Sequence, residues 1–151
     1  MASEGPNSPD TAVNDAGIGS QAWTSPGNVL ASEDTRATVV LNANQSNYIK
    51  ATDFDFVIPT GATIDGIVVG IERAATGNRD VRDNAVRIVK ADAIGATDKS
   101  TATKWVAADN YEDHGSSTDL WGETWAASDI NGITFGAAVS AKNLDAANST
   151  V

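Results

Sequence analysis

Between Ile64 and Ala74 apolar side chains recur at every second position, and this period constrains the fold more than any other feature of the chain. Ile67, Val69 and Ile71 stand on one side, with Gly66, Val68, Gly70 and Glu72 on the other. Successive side chains of a strand point to opposite faces, so the pattern is that of a half-buried β-strand and not of a helix. The same period returns in Ala37, Val39 and Leu41, in Val86 and Ile88, and in Phe135, Ala137, Val139 and Ala141. It also returns in Phe54, Phe56 and Ile58, a strand that would carry Asp53 and Asp55 on one face and end in the turn Pro59-Thr60-Gly61. Helical signal is confined to one turn at "ASDING", where Ser128 is placed to cap it. Short strands separated by polar loops such as "TGNRDVRDN" predict an all-β protein, a β-sandwich of jelly-roll type.

The chain has 151 residues, the size of one domain with a core of its own. Residues 1–22 lack an apolar period and are rich in turn formers ("SEGPNSPD", "NDAGIGSQ"), so they read as an extended N-terminal arm preceding a sandwich over 23–151. An arm this polar orders only when something holds it. Val13 and Ile18, with Trp23 at the junction, are therefore the expected partner-binding anchors. At the other end "AKNLDAANSTV" stops where a turn should lead into another strand. The final strand is accordingly expected to be missing or donated, leaving a sheet edge near Val151 open to strand addition.

The net charge of −10 repels phosphate backbones and anionic bilayers, so neither nucleic acid nor a membrane is the expected partner. The absence of cysteine removes disulfides, thiolate metal sites and cysteine nucleophiles. Met1 to Asp10 show no basic-then-apolar leader, and no apolar run approaches the ~20 residues of a membrane span. Synthesis in the cytoplasm of the producing cell is the expectation.

Few residues suggest chemistry. His114 is the one histidine and stands beside Glu112, Asp113, Ser116 and Ser117, but neighbours in one short segment rarely converge as a triad must. The chain has no Gly-x-Ser-x-Gly elbow. The carboxylate pairs Asp53/Asp55 and Asp80/Asp83 arise readily among 20 acidic residues, and a glycosidase needs its pair across a cleft. No enzymatic role and no cofactor is expected. Asp80, Asp83 and Asn84 offer the oxygen ligands that Ca²⁺ takes in sandwich loops, without EF-hand spacing, and are the weak candidates for a metal. Of Trp23, Trp105, Trp121 and Trp125, the pair Trp121/Trp125 flanks a turn and is the candidate for stacking on a sugar ring. The bland alternative is that these indoles close the core. Arg73, Arg79, Arg82 and Arg87 form the one local basic cluster, expected to pair with neighbouring acids or an acidic partner surface.

Four stretches in the same order, "GPNSPDTAVNDAGIGSQAW", "FVIPTGATIDGIVVGIER", "STDLWGETW" and "SDINGITFGAAVSAKN", carry a resemblance that runs from about Gly5 to about Asn143. The chain resembles a β-sandwich family recurring in structural proteins of tailed bacteriophages, prophages and some large bacterial surface proteins. The resemblance implies a virion structural protein, with capsid decoration ahead of a tail or fibre role. The implied partners are the major capsid protein or other virion proteins together with sister copies in a homo-oligomer. It implies no catalytic residue. The alternative from another class is a carbohydrate-binding or adhesin module using Trp121 and Trp125.

Overall fold

The computed structural model describes residues 2–151 and is an all-β sandwich. Its strands are β1 (Thr11–Asp15), β2 (Val40–Leu41), β3 (Tyr48–Thr52), β4 (Ile67–Arg73), β5 (Val81–Lys90), β6 (Ala93–Ile94), β7 (Asn110–Ser116), β8 (Gly136–Asn143) and β9 (Ser149–Thr150). One helical turn, α1 (Ala127–Ile130), follows the Trp125 segment. The larger layer is antiparallel, in the order β1-β3-β8-β5-β6. Facing it are the ribbons β4-β7 and β2-β9. They are joined at Thr76, whose N–H donates to Thr150 O while its Oγ1 accepts from Thr150 N–H. The pairs β3·β8 and β4·β7 nest, so a folded two-stranded ribbon crosses from one layer to the other. This is the winding of a jelly roll.

The alternation in β4 survives intact: Ile67, Val69 and Ile71 pack on the core while Val68, Gly70 and Glu72 face out. In β5 the register slips between Asp83 and Ala85. An extra residue in one strand inverts the parity of everything after it. Val81 and Asp83 before the slip, and Val86 and Ile88 after it, consequently all face the space between the layers. Ala85 and Val89 join Tyr48 and Ala138 on the far side of the sheet.

Three expectations are corrected. The described part of the expected arm, residues 2–22, does not reach away from the sandwich: Thr11–Asp15 are the edge strand β1, and Asn7 donates to Phe54 O. Turn-forming residues hid this strand because its hydrogen bonds to β3, rather than apolar side chains, hold it. The closing stretch, read as a turn, itself carries a strand: β9 pairs with β2, and Val39 and Val151 exchange both backbone hydrogen bonds. The third correction is that Asp53–Ile58 is not a strand. Asp53 and Asp55 sit at φ 64 and 52, a left-handed backbone that breaks the ladder, although Phe54, Phe56 and Ile58 still pack inward. The helical turn stands where expected, but its first N–H groups are served by Asp129, whose Oδ2 accepts from Ala126 N–H at 2.9 Å, and not by Ser128.

Candidate interaction surfaces and the buried polar centre

Asp83, aimed inward by the slip in β5, organises a charged centre between the layers. Its Oδ1 accepts from Arg73 Nη1 and, at 2.8 Å, from Trp105 Nε1. Its Oδ2 accepts from Thr101 N–H at 2.8 Å and from Thr101 Oγ1 at 3.2 Å. Arg73 ends β4 with its side chain only 2% exposed, and Glu112 of β7 lies 3.3 Å from its Nη2. Four donors to one carboxylate offset the cost of burying it, as buried charge demands.

His114 belongs to the same centre. It sits on β7, not in a loop, and its side chain is sealed at 0% exposure. Its Nδ1 lies 2.9 Å from Lys99 O. A carbonyl can only accept, so Nδ1 carries the proton and donates. Its Nε2 points toward Asp83 Oδ2 at 3.8 Å, beyond hydrogen-bond reach. Glu112 is the one other acid of its sequence cluster at the centre. Asp113 alternates to the outer face, and Ser116 bonds Thr118 at the surface. A histidine, an acid and an arginine meet here without access for a substrate.

The proposed calcium ligands do not converge. Asp83 faces the core, while Asn84 on the opposite side of β5 donates to Ser140 Oγ. Asp80 is held by Arg82, whose hydrogen bonds and charge pull its carboxyl below the usual range. Of the four arginines, Arg73 and Arg82 thus serve Asp83 and Asp80, and Arg87 reaches Asp98 at 4.0 Å and donates to Gly95 O and Ala96 O.

The sugar platform is corrected too. Trp121 is 1% exposed, and its Nε1 donates to Ile67 O, which leaves no face for a pyranose ring. Trp125 is half-buried, with Lys90 Nζ 5.0 Å from its ring centroid and Phe135 packed edge-on at 5.5 Å. Trp23 and Val151, expected to bind a partner, lie in the core instead, and Trp23 Nε1 donates to Asn47 O. Ile18 is half-buried against the far side of the main sheet, so Val13, at 43% exposure, is the expected anchor that remains open.

The outer face of the smaller layer is where the open apolar residues gather. Val40 of β2, Val68 of β4, Tyr111 of β7 and Val106, whose carbonyl accepts from Ala75 N–H, are each about half exposed. Val40 stands between buried Val39 and Leu41, Val106 follows buried Trp105, and Val68 and Tyr111 adjoin half-buried Ile67, Val69 and Glu112. Gly70 gives the face no side chain, and Glu72 and Asp113 are its charges. Sequence alternation could have marked Val40 and Val68 as outward-facing. Val106 and Tyr111 carried no period and were missed.

Comparison of the chain with protein-family models, with curated proteins and with solved structures found no match.

Proposed function

We propose that the chain is a non-enzymatic structural protein of a tailed-phage virion, a decoration protein that lies on the capsid surface and touches sister subunits there. The observation that carries this reading is the outer face of the smaller layer. Single exposed valines are ordinary, but Val40, Val68 and Tyr111 on outward strand positions of the smaller layer, with Val106 on the segment bonded to Ala75 just after β4, offer a surface of the kind that is covered in use. The groups with catalytic potential, His114 and Asp83, are consumed inside the sandwich, where they hold the layers together.

A standard interface takes roughly 800 Å² from each partner, about a tenth of the 7683 Å² this chain exposes. The choice of partner rests on the resemblance of the four ordered stretches to a family of phage structural proteins.

The test is sedimentation of particles released from a producing culture, probed with antibody to the chain. It is expected to travel with intact particles, and Val68→Glu with Tyr111→Glu is expected to release it while leaving the purified chain folded. Particles free of the chain, or binding indifferent to both substitutions, would overturn the reading.

A further inference from the structure

The two most exposed large aliphatic side chains among the described residues are Val57 at 78% and Ile133 at 69%, and they lie on neighbouring segments at one end of the sandwich. The segments are locked together by the Asn131 side chain. Its Oδ1 accepts from Ile58 N–H at 2.8 Å and its Nδ2 donates to Ile58 O at 2.9 Å, a side-chain imitation of a strand pair. Just beyond Val57, the turn at Thr60-Gly61 faces the start of α1 across an open depression of about 380 Å³. Ala127, 6% exposed, lies in its lining, Asn131 and Gly132 form part of the wall, and Ile133 follows directly. The hollow has room for one large side chain and needs no rearrangement to receive it.

Charge narrows the choice of occupant. Glu4 accepts from the backbone N–H of Val57 itself at 2.6 Å. Asp55 lies two residues before Val57, close enough to Asp10 that, with burial and Asp53, it pushes the Asp10 carboxyl above its usual range. Among the described residues, none of Glu4, Asp10, Asp53 and Asp55 forms an ion pair with a lysine or arginine. A second copy seated here by two-fold symmetry would bring Glu4, bonded to Val57, and Asp55, two residues before it, toward their own counterparts. Nucleic acid and anionic bilayers are repelled for the same reason.

We propose that this hollow, with Val57 and Ile133 on the segments that lead into its lining, is a docking socket for one apolar side chain of another protein, presented on a segment flanked by lysine or arginine. The apolar side chain supplies the burial. The flanking cations meet carboxylates that have no cation of their own, which sets orientation and partner choice. The inference concerns a different surface from the sheet face above and stands or falls without the virion reading.

The probe is a capped heptapeptide with leucine between three lysines on each side, titrated into the ¹⁵N-labelled full chain at low salt and followed by amide shifts. The Gly61, Ser128 and Gly132 amides are expected to move, with affinity falling as salt is added. Replacing the central leucine by serine, or the lysines by glutamates, is expected to weaken binding at least tenfold. The double variant V57S/I133S is expected to do the same while leaving the melting temperature within about 2 °C, because both side chains are exposed. Three outcomes would overturn the proposal. The serine peptide binding as well as the leucine peptide would show attraction by charge alone. Shifts centred elsewhere would show a different site. Movement of the same amides when the unliganded chain is concentrated would make a second copy the occupant.

Discussion

Asp83→Asn keeps the shape of the side chain and removes its charge, and the structure says what that costs. Both carboxylate oxygens are occupied by donors: Arg73 and Trp105 on one, Thr101 N–H and Oγ1 on the other. An amide must turn its NH₂ toward one of these sets, so donor meets donor whichever way it flips. Arg73, 2% exposed, then keeps only Glu112 at 3.3 Å against its charge. Removing one partner of a buried ion pair costs about 3–5 kcal/mol. For a domain of this length about 1 kcal/mol lowers Tm by roughly 2–4 °C, so a fall of about 6–20 °C is expected. Urea unfolding followed by tryptophan fluorescence measures the loss. A cycle with Arg73→Met isolates the pair, with an expected coupling of roughly 1–3 kcal/mol. A loss under about 1 kcal/mol, or additive single variants, would refute Asp83 as the hub joining the layers.

Two carboxylates should respond to acid in opposite ways. Asp10 is raised, chiefly by Asp55, so its ionisation opposes folding and its penalty grows as pH rises through the elevated value. Asp55→Asn should therefore raise the urea midpoint at pH 7, with the gain shrinking toward pH 4. Asp129 is lowered, first by the Ala126 N–H and then by Lys90, so its contribution is present above the ordinary carboxylate range and is lost as pH falls through it. Asp129→Asn should lower the midpoint at pH 7 and matter little below pH 3. Gly115→Ala should destabilise by about 2–4 kcal/mol in calorimetry, because φ is +81° and a Cβ there would stand 2.7 Å from Trp121 Nε1. Acrylamide should quench tryptophan emission weakly, and simple sugars should not change it, since Trp23, Trp105 and Trp121 are all buried.

What could be read from the sequence was whatever depended on apolar alternation. β4 and β8 announce themselves because one side chain in two is aliphatic or small, and the body of the sandwich followed from them. β1 and β7 stayed hidden: "TAVND" and "NYEDHGS" have too few apolar residues to show a period, and their edges are held by backbone pairing with β3 and β4. The opposite error fell on Asp53–Ile58, where real alternation of phenylalanines concealed a backbone that turns left-handed twice. Trp105 and Trp121 are core material, and so is Trp23, which was expected to meet a partner, while Trp125 is half-buried. The sugar alternative failed on Trp121, because flanking glycine and turn residues suggest exposure without causing it.

Asn84 explains why chemistry and surface part company in this protein. Without the slip at that residue, β5 would present Val81, Asp83, Ala85 and Arg87 to one side and Val86 and Ile88 to the other. The core would exchange Val86 and Ile88 for Ala85, Arg87 and Val89, and so take in an arginine. With the slip, Val81 meets the Trp23–Trp105 cluster, Val86 and Ile88 meet the Trp121–Phe135 cluster, and Asp83 falls between the two. A carboxylate at that seam needs cations and donors around it, and Arg73, Trp105 and Thr101 supply them, with His114 beside it. The reactive side chains are thereby committed to joining the layers. The outer face of the smaller layer is left with Val40, Val68, Tyr111, Glu72 and Asp113, the groups on which the proposed partner binding rests.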